Sequence, residues 1–259
     1  IDVVNGVPII AERAMYLTTP GGRTFEAGHE SAGVAAPASS WYFAEGATGD
    51  FFDLFLLLAN PGDTDATVRG TYLLGDGTTL GKQYVVPAHA RYNVWVDQET
   101  FDGAAGTPLA NVNEVSTRFD VLSGPDIVAE RAMWWPGPTA DSWTEAHSSP
   151  GATGTAARWV AAAGTVTDGP SATDTFYLLA NPGAGSASVK VTLLYADGMT
   201  EESKTFSVGA QSRFTVNVRA EFPTSVGKGF SALVETDGST PVIVEWAVYG
   251  DSLGRSWGS

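Results

Sequence analysis

Cysteine is missing from this chain of 259 residues, which excludes a disulfide framework and thiolate metal sites while leaving the compartment open. Long apolar runs are missing too. The longest, Leu54 to Ala59, falls far short of the roughly 20 residues a helix needs to span a bilayer, so no membrane insertion is expected of this segment. Positive charge is scarce: 14 Lys and Arg stand against 29 Asp and Glu, a net charge of −15. Such a chain cannot displace the counterions of a phosphate backbone, which argues against nucleic acid, and an anionic membrane surface is disfavoured for the same reason. Helical periodicity is absent. No initiator Met, basic n-region or signal h-region opens the sequence, so Ile1 is expected to be a processed or excised end of something longer.

What is present is repetition. Pro8-Ile-Ile-Ala-Glu-Arg-Ala-Met-Tyr16 returns as Ile127-Val-Ala-Glu-Arg-Ala-Met-Trp-Trp135 and more loosely as Pro241-Val-Ile-Val-Glu-Trp-Ala-Val-Tyr249. Glu12, Glu130 and Glu245 succeed one another at intervals of 118 and 115 residues, and a fixed period is the signature of a repeat architecture. Trp41-Tyr-Phe-Ala-Glu-Gly46 matches Trp159-Val-Ala-Ala-Ala-Gly164, and Phe55-Leu-Leu-Leu-Ala-Asn-Pro-Gly62 matches Phe176-Tyr-Leu-Leu-Ala-Asn-Pro-Gly183. The body occurs twice and the opening block three times.

Short strand-like blocks recur at 8–12-residue spacing between turn signals, among 30 Gly and 14 Pro. The expected fold is all-β: two tandem antiparallel β-sandwich repeats with Ig-like or fibronectin-like layering, plus an extra terminal β-hairpin, with a barrel as the alternative. The expected boundaries are 1–36 for a hairpin and linker equivalent to the end of a preceding repeat, 37–136 for the first sandwich, 137–157 for a linker and 158–259 for the second sandwich.

Asn5-Gly6 between apolar residues predicts a hairpin with the recurring block as its second strand, and Leu122-Ser-Gly-Pro125 and Thr236-Asp-Gly-Ser-Thr240 repeat that arrangement. Alternation puts Ile9, Ala11, Arg13 and Met15 on the core side, with Arg131 and Trp246 at the position of Arg13. Asn60-Pro61-Gly62 and Asn181-Pro182-Gly183 predict turns with glycine at positive φ, and Asp76-Gly77 and Asp197-Gly198 predict hairpins. Residues 17–40 and 136–157, rich in Gly, Ser, Thr, Ala and Pro, read as loop.

Glu12, Glu130 and Glu245 are the charges kept in every copy of the recurring strand, and a hydrogen-bonded structural carboxylate is favoured over a catalytic one. His29 and His147 align, one per repeat, with no second His or Cys at metal spacing, so no metal is expected. Ser31, near Gly28 and Gly33, lacks the glycine spacing of a nucleophile elbow. Asp63 and Asp65 are better explained by turn chemistry than by calcium. Trp134 and Trp135, on adjacent strand positions, send one ring to each face. Phe25, Trp143 and Trp257, one aromatic per linker, are expected to plug the junctions between units. Glycosidase chemistry needs a spaced carboxylate pair; Glu12, Glu26, Glu30 and Glu45 are available in number, but nothing marks two of them as a pair.

Taken together, Glu12-Arg-Ala-Met-Tyr16, Gly21-Gly-Arg23, Gly28-His-Glu-Ser31, Trp41-Tyr-Phe-Ala-Glu-Gly-Ala-Thr-Gly49 and Leu56-Leu-Leu-Ala-Asn-Pro-Gly62 resemble the tandem repeats of a bacterial domain-of-unknown-function family. That family occurs in large predicted extracellular proteins of actinobacteria and related phyla. The resemblance spans nearly the whole chain and implies export, a cell-surface location and a repeat architecture, and it brings no catalytic residue or cofactor. The second copy departs from it at Ala163 for Glu45 and the third at Trp246 for Arg13. The functional expectation is a non-enzymatic structural or adhesive module of a surface stalk, sheath or filament, binding further copies of itself or neighbouring repeats head to tail through strand edges. The alternative is a carbohydrate-binding module that uses the 8 Trp and 8 Tyr as platforms for polysaccharide. The residues proposed for either contact are Glu12, Glu130, Glu245, Arg13, Arg131, Trp134, Trp135, Trp143 and Trp257.

Overall fold

The computed structural model describes residues 1, 3–18, 24–25, 27–137, 141–198, 200–252 and 255–258. The fold is all-β, with antiparallel sheets packed as two tandem sandwiches. A two-stranded ribbon, β1 (Glu12–Leu17) and β2 (Ala27–Ala32), precedes them. Unit 1 comprises β3 (Ser40–Phe43), β4 (Asp53–Asn60), β5 (Ala66–Leu73), β6 (Thr79–Val86), β7 (Ala90–Trp95), β8 (Ser116–Ser123), β9 (Val128–Trp135) and β10 (Glu145–Pro150). Its sheets run in the order β10-β9-β4-β7 and β3-β8-β5-β6. Unit 2 repeats every element: β11 (Arg158–Thr165), β12 (Thr173–Asn181), β13 (Ala187–Tyr195), β14 (Glu201–Val208), β15 (Ser212–Asn217), β16 (Gly229–Thr236), β17 (Ile243–Ser252) and β18 (Arg255–Gly258). Its sheets have the same plan, β18-β17-β12-β15 and β11-β16-β13-β14.

The apolar runs Phe55–Leu58 and Phe176–Leu179 lie in β4 and β12, each hydrogen-bonded on both edges. Each sandwich closes its own core. Trp41, Leu54, Leu56, Leu58, Tyr72, Phe119, Met133 and Trp135 fill the first, and Tyr177, Leu179, Val191, Leu193, Phe222 and Val234 fill the second. At about 1.5–3 kcal/mol for each large apolar side chain removed from water, these two cores supply the main folding drive. Trp41 and Trp159 make the same tie, their indole N–H donating to the carbonyls of Ile127 and Val242 at 2.9 and 3.0 Å.

The structure corrects several expectations. The recurring strand does not pair with the strand before it: β9 lies between β4 and β10, and β17 between β12 and β18. The intervening turn instead carries the chain from one sheet to the other, with Gly124 at φ 88° where an added Cβ would sit 2.2 Å from the Asp65 carbonyl. Asn5-Gly6 does form a turn, with Val7 N–H donating to Asn5 Oδ1, but no strand flanks it. The stretches read as loop contain β2 and β10, because Ala, Ser and Gly side chains leave no apolar alternation while their backbones still pair. Gly62 and Gly183 are not at positive φ; at Gly62 the requirement is space, since a Cβ would meet the Pro125 ring at 2.5 Å.

Asn60 and Asn181 show what those turns depend on. Asn60 Nδ2 donates to the carbonyls of Thr64 and Val86, and its Oδ1 accepts from Gly62 N–H. Asn181 repeats this with Gly185, Val208 and Gly183. Both are fully buried, and losing one removes a donor that two carbonyls share. Asn60→Ala and Asn181→Ala are each expected to cost about 2–3 kcal/mol in urea unfolding, whereas Asp76→Ala, at an exposed turn, should cost less than about 1 kcal/mol.

Candidate functional site at the joints between units

The two sandwiches meet where the outer face of the β17 sheet covers the flank of unit 1 beside β3. Ala44 from unit 1 and Leu178, Ala180, Ile243 and Ala247 from unit 2 form a separate apolar cluster there. Beside it lies an ionic cluster built on Arg131, whose side chain points to the core side of β9 and is 3% exposed. Arg131 Nη2 meets Glu45 Oε2 at 2.5 Å, and Nη1 meets Glu245 Oε2 at 3.0 Å. Glu45 belongs to unit 1 and Glu245 to unit 2. The Glu45 backbone N–H also donates to Glu245 Oε2 at 2.6 Å, Tyr249 Oη donates to Glu45 Oε1 at 2.7 Å, and Arg131 Nη1 donates to the Glu45 carbonyl at 3.2 Å.

This geometry sets the charge states. Burial pushes the Glu45 carboxyl up, but the Arg131 guanidinium, helped by His147 and the Tyr249 hydroxyl, outweighs it and holds Glu45 below the usual carboxylate range. Glu245 ends above that range, because burial and the neighbouring Glu45 charge together exceed the pull of Arg131. For Arg131, burial opposes the charge and the two carboxylates more than restore it. His147 stacks edge-on between Trp135 and Tyr249, and burial, with the Arg131 and His29 charges, depresses its imidazole to about 4 despite the attraction of Glu45.

The first joint uses the same atoms. β1 and β2 pair with Glu12 opposite Ala32 and Met15 opposite His29, and β9 and β10 pair with Glu130 opposite Pro150 and Met133 opposite His147, which is the same register. The ribbon's inner face lies on the outer face of β9–β10, as the inner face of β9–β10 lies on β17. Arg13 Nη1 donates to Glu130 Oε2 at 2.6 Å, the counterpart of Arg131 to Glu245. Arg13 Nη2 donates to Ser148 Oγ at 2.7 Å, and Ser148 Oγ lies 2.6 Å from His29 Nε2. Burial, then the Arg13 charge, lowers the His29 pKa.

The sequence-predicted residues thus divide. Arg13, Glu130, Arg131 and Glu245 are brought together across joints. Glu12 is exposed on β1 with no partner among the described residues. Trp134 and Trp135 do take opposite faces: Trp135 is fully buried, while Trp134 stacks on Trp143 at 5.0 Å on the outer face. Trp143 serves its own unit, its indole N–H donating to Asp53, and Phe25 packs on Tyr16 within the ribbon, so neither plugs a junction. Trp257 does border the inter-unit interface, beside Gly250 and Tyr249. Ser31 is buried on β2, Asp63 pairs with exposed His89, and Asp65 accepts from Ala88 N–H. Glu26 lies outside the described residues. Glu45 and Tyr249 are the partners that sequence reasoning missed as joint residues. One signal pointed to Glu45: where the later copy loses the arginine, at Trp246, the matching glutamate is also lost, at Ala163.

Arg131→Ala leaves two carboxylates buried without a cation and is expected to cost about 3–5 kcal/mol by urea denaturation. The neutral triple variant Arg131→Met, Glu45→Gln, Glu245→Gln should lose less than the single. His147 binds a proton near pH 6.5 when unfolded and near 4 when folded, so between these values acid favours unfolding. The stability difference between the wild type and His147→Gln should therefore shrink by about 3 kcal/mol as pH falls from 6.5 to 4. Asp97, raised to about 6 by burial, acts in the opposite sense over the same range and cancels in that difference.

No family model matches this chain, and no curated protein matches it. Among solved structures it is similar to the crystal structure of Thermotoga maritima 1070, with 16% identity over 45% of this chain and 94% of that one, at a TM-score of 0.35. It is also similar to the Anabaena sensory rhodopsin transducer, with 21% identity over 38% of this chain and 99% of that one, at a TM-score of 0.31.

Proposed function

We propose that this chain is a non-enzymatic structural module of an extracellular bacterial array, in which sandwich units are strung head to tail through a repeated arginine–glutamate joint. The observation that carries this reading is the recurrence of one joint, Arg13 to Glu130 and Arg131 to Glu245, on strand pairs of identical register. Each arginine reaches the glutamate of the next unit along. Glu12 is the next acceptor in that series, and its exposure leaves it available to the flank of another unit.

The ribbon supports the same reading. Ile9 and Met15 are 57% and 37% exposed, whereas their counterparts Ile127 and Met133 are sealed in the core of unit 1. Ile10, in the segment leading into β1, and Tyr16, on β1, are 90% and 64% exposed. Apolar side chains exposed on β1 and on the segment leading into it, beside a free strand edge, form a surface that recruits further β-structure. The contact is heterologous, so its repetition extends a filament unless its rotation closes a ring. The spare strands dock within the chain on one side only, and the other side remains open for a further unit.

A hydrolytic role is disfavoured by the same geometry. A glycosidase needs one carboxylate free to protonate a leaving group and another free to attack or activate water, whereas Glu45 and Glu245 are both engaged by Arg131, and Glu45 also by Tyr249. The test is sedimentation of the full chain over rising concentration. Association beyond the monomer that is weakened by Ile10→Lys, just before the ribbon, and by Tyr16→Lys on it is expected. A chain that stays monomeric at millimolar concentration, or associates unchanged in those variants, would refute the reading.

A further inference from the structure

The repeat runs further than the recurring strand. Ile1-Asp-Val-Val-Asn-Gly6 lines up with Phe119-Asp-Val-Leu-Ser-Gly124, and Gly6 and Gly124 share a positive φ, 71° and 88°. Residues 1–32 therefore correspond to the end of β8, the crossing between sheets, β9 and β10. In unit 1 that stretch closes a sandwich; at the ribbon no sandwich body stands against it among the described residues.

Three surfaces record the difference. β9 is hydrogen-bonded to β10 on one edge and to β4 on the other, whereas among the described residues β1 pairs with β2 alone. Ile127 and Met133 are sealed in the core of unit 1, while their counterparts Ile9 and Met15 stand in solvent. Arg131 is clasped by a carboxylate of its own unit, Glu45, as well as by that of the next, and its side chain is 3% exposed. Arg13 pairs with the next unit's Glu130 and its side chain is 40% exposed. Unit 1 also keeps a landing face open. Leu57, Ala59 and Val128 are the counterparts of Leu178, Ala180 and Ile243, which pack with Ala44 of unit 1, yet Ala59 is exposed and Leu57 and Val128 are half-buried.

We propose that the free edge of β1 is a strand donor that completes a further sandwich body of the unit 1 type. It pairs with that body's β4-like strand in the register of β4 with β9. Ala11 then stands opposite the counterpart of Leu58, Arg13 opposite that of Leu56, and Met15 opposite that of Leu54. The contact rests on the head-to-tail reading above and names what the ribbon takes. Charge selects the body. One with glutamate at the position of Glu45 supplies Arg13 with its second carboxylate, whereas one like unit 2, with Ala163 there, would bury the guanidinium half-paired. A second copy of this chain offers no such strand, since β4 and β12 are each paired on both edges.

The experiment places a copy of residues 36–118 directly before Ile1 of the full chain, where Ile1 takes the place of Phe119 and the repeat continues without a shift. The chain has no cysteine, so Met15→Cys and Met133→Cys each introduce a single thiol whose labelling rate reads its burial. In the unextended chain Met15→Cys is expected to react quickly and Met133→Cys to be protected. In the extended chain Met15→Cys should slow at least about a hundredfold, towards Met133→Cys. Glu45→Ala in the added copy alone should return about tenfold of that protection. A labelling rate at Met15→Cys unchanged by the extension, an added body left unfolded by amide exchange, or protection indifferent to Glu45→Ala would overturn the proposal. Sedimentation of the unextended chain reads association through Ile10 and Tyr16. A chain that stays monomeric yet protects Met15→Cys when extended would refute assembly and keep the strand donor, and the converse result would do the reverse.

Discussion

A single guanidinium holds the two halves of this protein in register. Arg131 leaves β9 on the core side, yet its charge is met by Glu45 from its own unit and Glu245 from the next. Taking such a cation out of water costs several kcal/mol, which only close and fully hydrogen-bonded carboxylates return. The cluster meets that condition through Tyr249 and the Glu45 backbone N–H, which occupy the remaining acceptor positions. Apolar side chains of similar volume would stabilise the contact as well or better. What the triad adds is geometry, since two carboxylates on one planar fork fix how sheet meets sheet, whereas the apolar patch of Ala44, Leu178, Ile243 and Ala247 allows sliding.

The way this cluster varies along the chain is what its physics requires. At the ribbon the arginine survives on a more exposed surface, where it donates to Ser148, which in turn bonds His29. In unit 2 Trp246 replaces the arginine and Ala163 replaces the glutamate. A buried carboxylate without its cation would cost more than the pair ever contributed, so the two must disappear together. Trp246 lies opposite Tyr177 on the core face of β17 and stays 44% exposed.

The sequence made the fold legible wherever side chains carry the pattern. The central strands, the Asp-Gly hairpins, the asparagine turns and the opposite faces of Trp134 and Trp135 are all dictated by local chemistry. The edge strands β2, β10 and β18 did not show, because their Ala, Ser and Gly residues pair through backbone alone. The choice of partner was also invisible: a turn such as Leu122–Pro125 fits a hairpin as well as a crossing between sheets, and only the packed core decides. The carboxylates were legible as recurrent charges, but not as partners, since Arg131 and Glu245 lie 114 residues apart and meet only once both sandwiches exist.

Recurrence at the level of atoms has a consequence for shape. Arg13 and Arg131 contact glutamates at equivalent positions, on strand pairs whose registers are identical, so under the proposed assembly a repeated joint would apply one rotation and translation from unit to unit. A fixed operation applied again and again traces a helix, and it closes only if the rotation happens to divide a full turn. The outer face of the β9 sheet carries the aromatic row Trp95, Phe55, Trp143 and Trp134, and the counterparts Phe176 and Tyr249 in unit 2 are turned into the inter-unit interface. The abundance of rings in the sequence is therefore used mainly on sheet faces that abut other sheets.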